Sequence, residues 1–79
     1  MRALLQRVSH AEVRIEGRLV GEIQRGLLVL LGLDREDDEA AVQRMLDKLL
    51  AYRVFPDDQG RMNCSVTDIA GGVLLVSQF

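Results

Sequence analysis

The stretch GLLVLL at residues 26–31 is the strongest indication of the fold in this chain. After its glycine it is apolar without alternation, which is typical of a strand covered on both faces. Before it, EVRIE at residues 12–16 alternates polar and apolar side chains, as a half-buried strand does. Gly17 then predicts a turn into LVGEI at residues 19–23, so a β-hairpin precedes the buried strand. A first strand is predicted over Leu4–Val8.

The segment after the buried strand predicts one amphipathic helix. Residues 34–39 are acidic and polar, which suits a helix start because Asp caps free N–H groups and negative charge is favoured at that end. The apolar positions that follow have the spacing i, i+3, i+4 and i+7 and share one face: Val42, Met45, Leu46 and Leu49. Further along, residues 53–55 predict a short strand, residues 56–60 a turn and residues 62–69 irregular structure.

The last apolar run, VLLV at residues 73–76, predicts a final strand that ends on Ser77, Gln78 and Phe79. Together the elements predict an α+β fold with a mainly antiparallel, barrel-like sheet and one packed amphipathic helix. A bare apolar strand at the end would leave an open sheet edge, which native folds avoid. We therefore expect residues 1–79 to be a single domain, the N-terminal part of a longer one, that is incomplete in this chain.

Composition favours a globular protein and leaves open an anionic partner. Hydrophobic residues make up 48% of the chain and aromatic residues 4%, so we expect an aliphatic core rather than disorder. The formal net charge is −2, divided into +2 over residues 1–33 and −4 over residues 34–79. Most basic residues are arginines, which suit phosphate or carboxylate, so a phosphate-binding face and a mixed solvated surface both stay open.

Cellular location is predicted from two further features. The N-terminal residues have the pattern of neither a signal peptide nor a membrane span. Cys64 is the only cysteine, so an internal disulfide is excluded, which fits a reducing compartment. A cytosolic protein is therefore expected.

Two residues of reactive type are interpreted as structural. His10 lies between two strand-like segments with no carboxylate or nucleophile beside it in sequence, so we expect a histidine in a surface turn. Cys64 has no adjacent histidine or basic residue and is expected to be semi-buried. The segment DDQG at residues 57–60 lacks the ligand ladder of a calcium loop. With one histidine and one cysteine, the chain has no metal-ligand spacing.

Polar and charged residues inside strands are the stronger candidates for a site. Arg7 lies within the first strand, where its guanidinium either points outward or is held by a specific acceptor. Ser77 and Gln78 end an apolar strand, and unpaired polar groups in a core cost roughly 1–3 kcal/mol each. Either this strand opens into a ligand pocket, or neighbouring loops satisfy Ser77 and Gln78 while Phe79 belongs to the core.

Several blocks of the sequence, taken in order, resemble the D-aminoacyl-tRNA deacylases, formerly called D-tyrosyl-tRNA deacylases. The blocks are LQRV at residues 5–8, GEI at 21–23, GLLVL at 26–30, DKL at 47–49, RVF at 53–55, GRMN at 60–63 and VSQF at 76–79. The resemblance runs through the whole chain and covers roughly the first half of that family's domain.

The resemblance implies an enzyme that hydrolyses the ester between a D-amino acid, or glycine, and the 3′ end of tRNA, as a chiral proofreading step. It implies a cytoplasmic homodimer with pockets at the dimer interface, aminoacyl-tRNA as partner, and no cofactor, metal, membrane or DNA. It assigns catalysis to Ser77 and Gln78, and substrate binding to Phe79, which can pack on the terminal adenine, and to Arg7. In the family the arginine matching Arg7 holds a Gly-cisPro element that reaches into the partner's pocket.

Part of the family's pattern is missing from this chain. The sequence ends before the threonine of the family's Ser-Gln-x-x-Thr block, and its Asn-x-Pro-x-Thr block is absent. The alternative function is a non-catalytic β-rich dimerisation module, whose exposed strand pairs with another chain.

Overall fold

The computed structural model describes residues 1–78 as a succession of strands interrupted by one helix. The elements are β1 Arg2–Val8, β2 Ala11–Ile15, β3 Arg18–Ile23, β4 Gly26–Gly32, α1 Glu39–Ala51, β5 Phe55–Pro56, β6 Met62–Cys64 and β7 Gly72–Gln78. The predicted α+β class is confirmed, and the apolar stretch that indicated the fold forms β4.

Strand β4 is the centre of a three-stranded sheet in the order β1-β4-β7. β1 runs antiparallel to it, with Arg2 opposite Gly32, and β7 runs parallel to it, with Gly72 opposite Gly26. The pairs β2–β3 and β5–β6 are antiparallel, so most pairings agree with the prediction. The β4–β7 pair is parallel because the chain returns to the sheet through α1, β5 and β6, which is a crossover and not a hairpin.

The hydrophobic core lies between α1 and one face of this sheet. Alternate β4 side chains, Leu27, Val29 and Leu31, are at most 2% exposed, and Leu27 and Val29 pack with Leu49 of α1. The prediction of an aliphatic core is wrong at one position, since Phe55 is also only 2% exposed. Burying such a side chain contributes roughly 1.5–3 kcal/mol, so one aromatic ring is a substantial part of a small core.

The predicted hairpin is confirmed and packs on β7. Glu16 and Gly17 both have positive φ, 52° and 80°, as the type I′ turn of a two-residue hairpin requires. The hairpin approaches β7 closely, because a Cβ placed on Gly72 would lie 2.8 Å from the Ile23 side chain, and one on Gly21 would lie 2.9 Å from that of Leu74. The face of the sheet opposite α1 is therefore covered, in part, by β3.

Helix α1 begins at the end of the predicted acidic segment. Asp38 is its N-cap, and its carboxylate accepts a hydrogen bond from the Ala41 N–H at 2.8 Å. The start is delayed because the preceding residues form a turn of their own, in which the Asp34 N–H donates to the Asp37 carboxylate at 2.8 Å. No helix within residues 1–78 is long and apolar enough to cross a membrane.

The predictions for residues 53–69 are partly wrong. The strand expected over residues 53–55 begins only at Phe55, and Met62–Cys64, expected to be irregular, is the strand that pairs with it. These strands have two and three residues, which is too short for a period-two pattern to be visible. The predicted turn between them is confirmed, with Gly60 at a φ of 78°.

Asp57 closes this turn, and its charge should contribute to stability. Its Oδ1 accepts hydrogen bonds from the N–H groups of Arg61 at 3.0 Å and Gln59 at 2.8 Å, and these donors hold the pKa of the carboxyl below its usual value. Asp57→Ala should lower the urea midpoint at pH 7, whereas Asp58→Ala at the next position in the same turn should not.

The difference between these two variants should depend on pH. A carboxyl with a lowered folded-state pKa stabilises the protein above its unfolded pKa of about 3.9, and this contribution is lost as the pH falls through the folded value. The two midpoints, measured by circular dichroism from pH 7 to pH 2.5, should therefore converge only below about pH 4. A constant difference down to pH 2.5 would mean that the charge of Asp57 is not what stabilises the turn.

Candidate functional site

Arg7 is held in place although its side chain is exposed. It lies on β1, and one terminal nitrogen donates to the Val54 carbonyl at 3.1 Å and lies 3.0 Å from the Met62 sulfur. Both sequence interpretations therefore apply, because the guanidinium faces solvent and also has a specific acceptor. The contact ties β1 to the segment just before β5, 47 positions away in sequence.

Two adjoining depressions surround Arg7 and contain two further arginines. One has a volume of about 340 Å³ and is lined by Leu5, Arg7, Leu27, Arg53, Val54 and Met62. The other, also of about 340 Å³, is lined by Arg7, Val8, Ser9, Arg25, Phe55 and Pro56. The Arg25 guanidinium lies 5.5 Å from the centre of the Phe55 ring, a cation–π contact that orients it. Sequence analysis missed Arg25 and Arg53, since their closeness to Arg7 depends on tertiary contacts.

These three arginines concentrate positive charge around the two depressions. In the described part of the chain, none of the three forms a salt bridge; the salt bridges involve Met1, His10 and Arg14. The pKa of Asp68 is lowered mainly by the Ser65 N–H and hydroxyl, and to a smaller extent by Arg53. The surroundings of Arg7 therefore suit an anionic ligand.

Ser77 lies on β7 with its side chain exposed. It is paired with Leu31, so it lies on the face of the sheet that carries the core and Arg7. β7 is an edge strand of the described sheet, and alternate backbone groups of an edge strand point away from the neighbouring strand. Gln78 is the last residue of β7, and Phe79 lies outside the described residues.

A single chain does not bring Arg7 and Ser77 together. Arg7 is in one row of the sheet with Leu27 and Val73, whereas Ser77 is in the row of Leu31 and Ala3. Four residues along the strands and two strand spacings across give a separation of about 16 Å. The two predicted site residues thus lie on one face but at opposite ends of the sheet.

The residues interpreted as structural agree with that interpretation. Cys64 is partly buried against the core. His10 is exposed, but its Nε2 lies 2.9 Å from a Glu22 carboxylate oxygen, a partner that the sequence hid because it comes from the paired strand of the hairpin. Across residues 1–78, no cluster of three or more His, Cys, Asp or Glu side chains suits a metal ion.

The chain is similar to proteins described as deacylases of D-aminoacyl-tRNA. A family model described as D-Tyr-tRNA(Tyr) deacylase matches residues 4–79. A D-aminoacyl-tRNA deacylase of Stutzerimonas stutzeri is 60% identical over all 79 residues, which is 54% of its own length. One from Vibrio cholerae is 58% identical over the same residues, which is 55% of its length. The chain therefore spans about half the length of these curated relatives.

A solved structure has the same fold over the whole chain. The protein named c-Myc DNA Unwinding Element Binding Protein superposes with a TM-score of 0.90 at 41% sequence identity. The match covers all of this chain and 54% of that protein.

Proposed function

Because the chain belongs to the D-Tyr-tRNA(Tyr) deacylase family, we propose that the protein hydrolyses the ester of D-aminoacyl-tRNA and releases the free D-amino acid and tRNA. Mischarged glycyl-tRNA is a second substrate of the same kind. Residues 1–79 form the N-terminal part of one deacylase domain, and the enzyme acts in the cytoplasm as a homodimer. The observation that carries the proposal is the 60% sequence identity to a curated deacylase over all 79 residues of the chain. The aligned region includes the strand of Ser77.

The chemistry requires little beyond positioning. An aminoacyl ester is already activated, so the site needs hydrogen-bond donors at the developing oxyanion and a well-placed water. The exposed Ser77 hydroxyl and the outward backbone N–H groups of edge strand β7 are donors of this type. We assign catalysis to Ser77 and Gln78, and stacking on the terminal adenine to Phe79.

Arg7 acts at a different place from Ser77. The separation of about 16 Å within one chain supports a dimer in which Arg7 positions an element that completes the partner's pocket. Its bond to the Val54 carbonyl leaves other guanidinium N–H groups available for this purpose.

The activity should be specific for chirality. With matched D-Tyr-tRNA and L-Tyr-tRNA, we expect the complete gene product to release the D-amino acid at least about 100-fold faster, because a site shaped for one configuration excludes the side chain of the other. The measurement is release of labelled tyrosine, corrected for spontaneous hydrolysis without protein. Equal rates would contradict the proofreading role, and no acceleration with either ester would contradict the hydrolase.

A further inference from the structure

A groove follows the outer edge of β1, between β1 and α1 at one end and between β1 and the segment of β5 and β6 at the other. Four depressions lie end to end along it, and each shares lining residues with the next: first Met45 and Lys48, then Leu5, then Arg7. Their volumes, in this order, are about 290, 130, 340 and 340 Å³. We call this feature the β1 groove; from Ala3 to Val8 it is roughly 17 Å long.

Basic side chains line the β1 groove at every step. Within the described residues, its lining includes no carboxylate and five cationic side chains: Arg44, Lys48, Arg53, Arg7 and Arg25. None of these five forms a salt bridge with another described residue. Since the chain as a whole has a net charge of −2, this concentration of positive charge reflects how the fold sorts its charges and not a basic composition.

Helix α1 contributes two of these cations from the flank of its core-facing side. Arg44 and Lys48 are one turn apart and face the same depression. Like charges at this spacing destabilise a helix by roughly 0.2–0.5 kcal/mol. The nearby carboxylate of Asp47 accepts a hydrogen bond from Gln43 at 3.0 Å and forms no salt bridge with either cation. A bound polyanion would offset the repulsion between the two cations.

We propose that the β1 groove binds the sugar–phosphate backbone of the tRNA substrate, away from its acylated end, through the part beside Arg44 and Lys48, whereas its part at Arg7 holds the element that completes the partner's pocket. This rests on the proposed function, which makes an RNA the substrate. Tyr52, 49% exposed beside Lys48, presents a ring on which a base can stack. Ala3 shares a row of the sheet with Ser77, so the groove begins about 10 Å, or two strand spacings, from the proposed site of hydrolysis.

The test is the double variant Arg44→Gln/Lys48→Gln in the complete gene product. Both side chains are exposed, and glutamine keeps the helix propensity and the approximate length. The dissociation constant of the double variant for unacylated tRNA should be roughly 10-fold higher than that of the wild type at low salt. The slope of log K against log salt should fall by between about one and two, because two phosphate contacts no longer release counterions. The measurement is fluorescence anisotropy with labelled tRNA at several salt concentrations.

Two comparisons separate RNA binding from other effects. Arg18→Gln/Arg35→Gln removes the same charge from exposed positions outside the groove and should leave both the affinity and the slope near the wild-type values. Hydrolysis of D-tyrosyl-adenosine, which has the ester but no RNA backbone, should be unchanged in Arg44→Gln/Lys48→Gln, whereas KM for D-Tyr-tRNA should rise.

Three results would overturn the inference. An affinity for tRNA equal to that of the wild type, or lowered equally in both double variants, would remove the groove from RNA binding. Slower hydrolysis of D-tyrosyl-adenosine by Arg44→Gln/Lys48→Gln would mean that Arg44 and Lys48 act at the ester. Dissociation of a dimer by the same variant, measured by sedimentation, would mean that the groove is a protein interface. If the wild type hydrolyses neither ester, the proposed function fails on its own, while the tRNA affinities still decide the role of the groove.

Discussion

Replacing Gly26 by alanine is expected to destabilise the protein by at least about 3 kcal/mol, a large part of the stability of a small domain. A Cβ at this position would clash with the Gly72 carbonyl oxygen and would lie 2.7 Å from the Gly72 nitrogen. Both are backbone atoms of the paired strand, so no side chain can rotate away to make room. The first residues of β4 and β7 must therefore move apart to make room for the methyl group. The urea midpoint of the complete gene product, followed by circular dichroism, measures the loss.

Gly32→Ala is the matched control at the other end of the same strand. Among the described residues, its Cβ would meet the Arg2 carbonyl oxygen at 4.0 Å, which is an ordinary contact. We expect a change of less than about 0.5 kcal/mol, since alanine also restricts the unfolded chain. Equal midpoints for Gly26→Ala and Gly32→Ala would contradict the close approach of β4 and β7.

Ser77→Ala and Gln78→Ala should each lower kcat for D-Tyr-tRNA by about 100- to 1,000-fold, the usual cost of removing a donor at a developing oxyanion. The effect should be on kcat more than on KM, because such a donor acts on the transition state and not on the bound substrate. Ser77 is exposed on β7, so its replacement should leave the urea midpoint within about 0.5 kcal/mol of the wild type. Single-turnover hydrolysis isolates the chemical step.

Gln6→Ala is the control for these two variants. Gln6 is an exposed strand residue on β1, on the face of the sheet opposite Ser77, and its loss should not change kcat. If Ser77→Ala and Gln78→Ala both keep a kcat within twofold of the wild type, catalysis resides elsewhere and the assignment taken from the family is wrong.

Elements that depend on local pattern were predictable from the sequence. The uninterrupted apolar stretch became β4, the alternation on each side of Gly17 became the β2–β3 hairpin, and the acidic segment ended at the start of α1. In each case a few consecutive residues carry the period or the turn chemistry that determines the element. The parallel direction of β7 has no such local signal, because it depends on how the chain returns through α1 and two very short strands.

The candidate site was less predictable than the fold. A specific acceptor for Arg7 was one of two interpretations that the sequence left open. The acceptor itself is a carbonyl 47 positions along the chain, which no local pattern indicates. The distance between Arg7 and Ser77 follows from the register of the strands, which the sequence does not show either. The β1 groove had a partial signal, since Arg44 and Lys48 are visible at helical spacing. The position of the β1 edge opposite these two side chains has no such signal in the sequence. The roles of Ser77, Gln78 and Phe79 come from resemblance to a family, and they stay predictions until the variants are measured.

The parallel pairing of β4 with β7 has a consequence for biosynthesis. During translation, β1 to β4 leave the ribosome first, and β4 can join β1 while α1, β5 and β6 are still being made. Until β7 emerges, one side of the most apolar strand has no neighbour, and a backbone edge of this kind pairs readily with other nascent chains. Because the β4–β7 pairing joins segments that are distant in sequence, it forms slowly. The time during which one side of β4 has no neighbour is therefore longer. The nascent chain should therefore depend on chaperones until β7 has emerged from the ribosome.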